Sequence, residues 1–216
     1  CPFPMIAGKH KGAGMLLYPA QVAEVLAPIA EYPEIQFSLK MRLGWENASE
    51  CMVLVELLNT LRLSRIALHA RTGKQQYKGH PDLEAFQGFY ELCQHPLYYN
   101  GDIESLSDIR QILIRFPLLK GVFIGRGLLS SPLLAKEFKG NETFLPEQRM
   151  SIYFAFHEEL FSAYSQVLQG ETQLLVKMKT LWEYFLPETD RKLLKRIKKS
   201  TRLQQYTESV KAIFTS

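Results

Sequence analysis

Cysteine is scarce in this 216-residue chain, with three in all, and its placement excludes more than its number. Cys1, Cys51 and Cys93 form an odd set without metal-ligand spacing. That argues against a disulfide framework and against a metal centre, and it fits a reducing cytoplasm. Long apolar runs are missing too, and none approaches the roughly 20 residues a membrane helix needs. There is no internal repeat and no low-complexity tract. The first residues, Cys1-Pro2-Phe3-Pro4, lack the charged start and apolar centre of a signal peptide. An initiating Met is also absent, so the chain is expected to begin inside a longer protein.

What is present is ordinary for a globular protein in bulk and uneven in charge. Hydrophobic residues make up 46% and charged residues 22%, and 216 residues suffice for one sizeable core or one core plus a small appendage. From Lys177 to Ser216 there are ten Lys/Arg against four Asp/Glu, a net of +6, which leaves residues 1–176 at −2 of the chain's +4. A basic tail on a near-neutral body is the asymmetry expected of a polyanion-binding segment, although a solvated helical surface would read the same way.

The periodicity alternates between strand and helix over the first two thirds. Residues 1–14 read as a glycine-rich loop with the basic cluster Lys9-His10-Lys11. A helix follows from Pro19 to about Ala30, then a strand from Ile35 to Leu43 that ends at Gly44-Trp45. Asn47 or Ser49 caps a helix running to Leu61, and Ser64 to His69 is a strand. Pro81-Asp82 opens a helix to about Cys93, and Cys51 and Cys93 read as helical packing residues. Strands at 97–100 and 121–124 flank a helix from Ser105 to about Phe116, and Ser131-Pro132 starts another helix that ends near Gly140. Short connections in this pattern predict a parallel α/β sheet. From Pro146 onward only helical periodicity remains, which predicts a division into 1–140 and 146–216.

Each predicted strand ends in a polar residue or a glycine: Lys40 and Arg42, His69 and Arg71, Asn100 to Asp102, Gly125 and Arg126. In a parallel α/β sheet such ends converge on the ligand site. Leu97-Tyr98-Tyr99-Asn100-Gly101-Asp102-Ile103 and Gly121-Val122-Phe123-Ile124-Gly125-Arg126-Gly127 are the most informative pair. Both are apolar runs that break into glycine, where backbone N–H groups can approach a phosphate and Arg126 adds a planar donor fork. A (β/α)8 barrel has such a phosphate corner after its last two strands. A buried Lys40 with His69 would stabilise negative charge on a ring further in, a combination that suits flavin mononucleotide (FMN). These residues lead to a phosphate-bearing cofactor and stop short of a substrate.

A family resemblance goes further. Cys1-Pro2, Lys40-Met41-Arg42-Leu43-Gly44-Trp45, Leu68-His69-Ala70-Arg71-Thr72, Tyr77-Lys78-Gly79, Asn100-Gly101-Asp102-Ile103 and Ile124-Gly125-Arg126-Gly127 occur in the order found in tRNA-dihydrouridine synthases. The resemblance spans residues 1 to about 138 and extends more loosely over the helical tail. It implies the second half of an FMN-dependent (β/α)8 TIM barrel followed by an all-helical tRNA-binding domain. The implied activity is reduction of the C5–C6 bond of uridine in tRNA, with NADPH as electron donor.

By that resemblance Cys1 protonates C5 while reduced flavin delivers hydride to C6. Lys40, His69, Arg71, Asn100, Gly101, Asp102, Gly125 and Arg126 contact the flavin, its phosphate or, for Arg71, the uridine. Met5 departs from the family pattern, which usually has a lysine there, and Lys9 or Lys11 would replace that charge toward RNA. In the tail, Lys195, Arg196, Lys198 and Lys199 lie on an amphipathic helix whose narrow apolar side, Leu193, Leu194 and Ile197, argues for packing on neighbouring helices rather than insertion in lipid. With the flavin-site resemblance, the basic face is assigned to RNA phosphates. The expectation is a monomer without metal or membrane contact, inactive as this segment alone. Two alternatives stand beside it: an FMN barrel acting on a small metabolite, similar to dihydroorotate dehydrogenases, and a non-catalytic RNA-binding protein with a decayed barrel.

Overall fold

The computed structural model describes residues 1–215. Four strands, β1 (Phe37–Gly44), β2 (Leu63–Thr72), β3 (Leu97–Asn100) and β4 (Gly121–Phe123), form one parallel sheet in sequence order. Helices α1 (Pro4–Ala7) and α2 (Pro19–Leu26) precede β1, and α3 (Val55–Thr60), α4 (Leu83–Leu92) and α5 (Leu106–Arg115) connect the strands. Neighbouring parallel strands cannot be joined by a tight turn, which is why each pair is separated by a helix. The caps follow from the residues. Asn47 and Glu50 exchange hydrogen bonds at the start of a 3₁₀ turn, Ala48–Leu54, that leads into α3, and Asp82 accepts from the Ala85 N–H at 2.9 Å to start α4.

The chain divides into two compact units, one comprising Cys1–Ile103 with Ser107–Ile124, the other Glu104–Leu106 with Gly125 onward. In the first, β2 is buried from Ile66 to Thr72, as a central parallel strand covered on both faces must be. In its core Phe86 stacks edge-on against Tyr99 and Phe116, each at 5.0 Å between ring centroids, and Leu43, Leu54, Leu58 and Ile66 are buried as well. Cys51 is fully buried in that core, and burial pushes its thiol up to about 12, so it is inert packing.

Among the described residues after Phe123 every regular element is a helix: α6 (Arg126–Ser130), α7 (Leu134–Gly140), α8 (Pro146–Val167), α9 (Gly170–Leu181), α10 (Arg191–Lys199) and α11 (Leu203–Phe214). Trp182, Phe185, Met178, Tyr206, Val210 and Ile197 make the second unit's core, with Leu193 and Leu194 packed against it. The apolar side of α10 therefore packs inward, as its narrowness implied. A polar chain crosses this core. Trp182 Nε1 donates to the Tyr206 hydroxyl at 2.9 Å, the hydroxyl meets His157 Nε2 at 2.7 Å, and His157 Nδ1 meets Glu158 at 3.0 Å.

Two expectations are corrected here. Residues 1–14 are not one loop, since Pro4–Ala7 is a short helix and Gly12–Leu17 a 3₁₀ turn. Pro4 at the first helical position supplies the start signal for the short helix. Residues 126–130 also form a short helix ahead of α7.

Candidate active site

Register brings the polar strand ends together. Arg42 on β1 pairs with His69 on β2, His69 with Asn100 on β3, and Asn100 with Phe123 on β4, giving one row across the carboxyl side of the sheet. Lys40, two residues before Arg42 and so on the same face, reaches along the row. Its Nζ donates to Asn100 Oδ1 at 3.0 Å, and Asn100 Nδ2 donates to the Phe123 carbonyl at 2.8 Å. Asn100 is thereby fixed from both ends.

Lys40 is exposed, which corrects the expectation of a buried ammonium. β1 is an edge strand of this sheet, and its first four residues have no neighbour on one side to cover them. Partial desolvation and then the charge of Arg42 still lower the Lys40 pKa.

His69 is 6% exposed, and its imidazole forms no hydrogen bond with any described residue. Burial, followed by the positive charges of Arg42, Lys40 and Arg71, lowers its pKa to about 3, against which Asp102 acts weakly. It is therefore a neutral imidazole at physiological pH, with both ring nitrogens left for a ligand.

Arg71 is 1% exposed, and its guanidinium is fully engaged. Both terminal nitrogens meet Asp102, at 2.7 and 2.5 Å, and Nη2 also donates to the Gly79 carbonyl at 2.6 Å. The hydrogen bonds that Arg71 donates to Asp102 raise the Arg71 pKa despite burial. Asp102 follows the buried Gly101 and has a left-handed backbone, φ 35, so its carboxylate turns back toward β2.

Cys1 is exposed and held by its backbone. The Ala13 N–H donates to its carbonyl at 3.1 Å, and a side chain at Gly12, where φ is +57, would sit 2.6 Å from that oxygen.

The chain matches the sequence model of the family described as Dihydrouridine synthase (Dus) over residues 1–215. The chain belongs to that family. It is 30% identical over 133 residues to a probable tRNA-dihydrouridine synthase of Rhizobium leguminosarum bv. phaseoli, an alignment covering 61% of this chain and 42% of the relative. To a probable tRNA-dihydrouridine synthase of Aquifex aeolicus it is 34% identical over 143 residues, 64% of this chain and 44% of the relative. To tRNA-dihydrouridine synthase B of Vibrio vulnificus it is 26% identical over 151 residues, 68% and 47% respectively. The chain thus spans about half the length of the curated relatives it matches.

The remaining residues expected from the resemblance lie in several places. Gly125 and Arg126 open the second unit, where Gly125 accepts the Leu128 N–H at 3.1 Å at the start of α6. A side chain built at Gly125 would meet nothing within 4 Å. Lys9 and Lys11 are exposed just after α1.

In the second unit, Lys192, Lys195, Arg196 and Lys199 recur at i, i+3, i+4 and i+7 on α10 and line a groove of about 470 Å³ with Ser200, Gln205, Glu208 and Ser209. Lys198 stands outside that lining. No described helix is long and apolar enough to cross a membrane, and no cluster of metal-binding side chains occurs among the described residues.

Sequence reasoning placed Arg42 among the strand-end residues without giving it a job. The signal was its spacing of two from Lys40, which puts both cations on one face of β1.

Proposed function

We propose that the full-length protein reduces the C5–C6 bond of uridine in tRNA to 5,6-dihydrouridine, with FMN as cofactor and NADPH as electron donor. The row Arg42–His69–Asn100, bridged by Lys40, carries this reading, because it leaves a buried neutral imidazole and an ammonium of lowered pKa at the carboxyl end of a parallel sheet. Within the first unit the donor set suits a flavin ring, with the His69 imidazole free of side-chain partners and Lys40 supplying positive charge; separately, in the second unit, the open space at Gly125 suits close approach of a phosphate beside Arg126. Residues 1–140 then form the second half of a TIM barrel, and 146–216 a helical tRNA-binding domain.

Bound FMN, once reduced, would supply a hydride to the uracil C6. The chain's own contribution is the rest. Cys1 Sγ–H gives its proton to C5, and the thiolate left behind is reprotonated by water. Lys40 favours negative charge on the flavin ring, while Asn100, clamped by Lys40 and the Phe123 carbonyl, presents a fixed amide. Arg71 and Asp102, held to one another, keep the 69–72 strand end and the 100–102 turn in register for flavin and uridine. The exposed cations Lys9 and Lys11, with Lys195, Arg196, Lys198 and Lys199, neutralise RNA phosphates. A target uridine must leave its stack to reach the sheet end.

The test is a visible spectrum of the purified full-length protein, followed by assay for dihydrouridine after NADPH and unmodified tRNA are added. A flavin spectrum with dihydrouridine formed is the expected result. Flavin present with no reaction on tRNA would favour a small-metabolite substrate instead.

A further inference from the structure

The loop 73–79 between β2 and α4 is held from both ends by arginines. Arg42, 7% exposed, donates from Nη1 to the Thr72 carbonyl at 2.7 Å and to the Gln76 carbonyl at 2.9 Å. Arg71 takes the far end through the carbonyls of Gly79 at 2.6 Å and Lys78 at 3.4 Å. The loop is tied to β1 as well, since Gly73 N–H donates to the Gly44 carbonyl and Lys74 N–H to the Trp45 carbonyl. Inside it, Gln75 Oε1 accepts from the Thr72 N–H at 2.8 Å.

At the centre of this frame the backbone is strained. Gln76 has φ 51, a left-handed conformation that a non-glycine residue keeps only when its surroundings enforce it. The carbonyl that Arg42 grips is that of Gln76, so the guanidinium enforces the strained residue directly. The next residue is Tyr77, 59% exposed, its ring centroid 5.7 Å from the Arg42 guanidinium carbon and 6.4 Å from the His69 ring. A large aromatic more than half exposed beside the His69 imidazole, with the exposed Lys78 following it, is the composition of a stacking platform for an unpaired base.

We propose that Arg42 is a positioning residue for this reaction: through the carbonyls of Thr72 and Gln76 it holds Tyr77 where the RNA substrate is received. The inference rests on the reading that the substrate is RNA. It assigns Arg42 an effect on substrate binding that passes through the loop and involves no contact of its own with the nucleotide.

The experiment uses the full-length, FMN-loaded protein with Arg42→Met, Arg42→Lys, Tyr77→Ala and the double variant Arg42→Met/Tyr77→Ala. Amide hydrogen exchange should quicken at residues 73–78 in both Arg42 variants, while flavin content is unchanged. Arg42→Met should raise KM for tRNA about tenfold with kcat within about twofold, and Tyr77→Ala should do the same, as expected for loss of one base stack. In the Tyr77→Ala background, Arg42→Met should add less than about twofold, because both substitutions remove the same contact.

Effects that multiply in the double variant would overturn the inference in favour of direct contact between Arg42 and the substrate, as would a fall in kcat at constant KM. Should Arg42→Met not fold, Arg42→Lys, which keeps the charge and stem but loses the paired grip, is read by the same KM and cycle criteria. Unchanged exchange in the loop, with wild-type protein active on tRNA, would sink this inference alone. Wild-type protein inert toward tRNA would sink the functional reading beneath it.

Discussion

Arg71 and Asp102 are locked in a two-point ion pair, with both terminal guanidinium nitrogens on the carboxylate at 2.7 and 2.5 Å. Arg71 is 1% exposed and Asp102 31%, so the pair ties the buried end of β2 to the turn after β3. Removing one partner leaves a guanidinium without its charge partner. Asp102→Asn should therefore destabilise the fold by about 2 kcal/mol, below the 3–5 kcal/mol of a fully buried pair because Asp102 is partly solvated. Urea unfolding checks this, and an unchanged midpoint would show that the pair contributes nothing net.

His69 should not titrate in the physiological range. Its folded pKa, about 3, lies below the free value of 6.5, so the native imidazole stays neutral while the unfolded chain takes up a proton below about pH 6.5. The stability present above pH 6.5 is lost progressively as pH falls toward 3. A pH profile of kcat/KM between 5 and 8 should show no inflection that disappears in His69→Asn. An inflection near 6.5 abolished by that substitution would mean that His69 works as a proton carrier.

The second unit has its own acid sensitivity. Burial, partly offset by Glu158, lowers the pKa of His157, whose Nε2 faces the Tyr206 hydroxyl while that hydroxyl accepts from Trp182. Below about pH 6.5 the native state resists a proton that the unfolded state accepts, at a cost of up to about 1.4 kcal/mol per pH unit. Thermal melts at pH 7.5 and 5.5 should differ by less in His157→Gln than in the parent. Equal differences would place the acid sensitivity elsewhere.

The fold was largely legible in the sequence because its strands and helices are bounded by strong local signals. Asp82 caps α4, glycines and prolines separate the elements, and β2 and β3 read as apolar runs. What was not legible depends on neighbours. Lys40 looked buried within Ile35–Leu43, yet β1 is an edge strand here and its first half is open. The short helix at 4–7 is only four residues long, below the length at which periodicity can be read. Within the candidate site, Arg71 with Asp102 and Arg42 with the 72 and 76 carbonyls are partnerships across 30 to 34 positions of sequence, which no motif encodes.

RNA affinity should track the lining of the α10 groove. Lys195→Ala with Arg196→Ala should weaken tRNA binding and reduce the slope of log K against log salt by about 1.4 to 1.8, since each phosphate contact contributes about 0.7 to 0.9. Lys198→Ala, outside the lining, should change the slope less than either single substitution at 195 or 196. An unchanged slope in the double variant would reassign this helix to packing alone.

Cys1→Ala in the full-length protein tests the account most directly, with flavin content and dihydrouridine formation followed in the same samples. A full flavin spectrum is expected together with a loss of at least about 100-fold in uridine reduction, the scale on which a positioned acid contributes. Undiminished dihydrouridine formation by Cys1→Ala would contradict it.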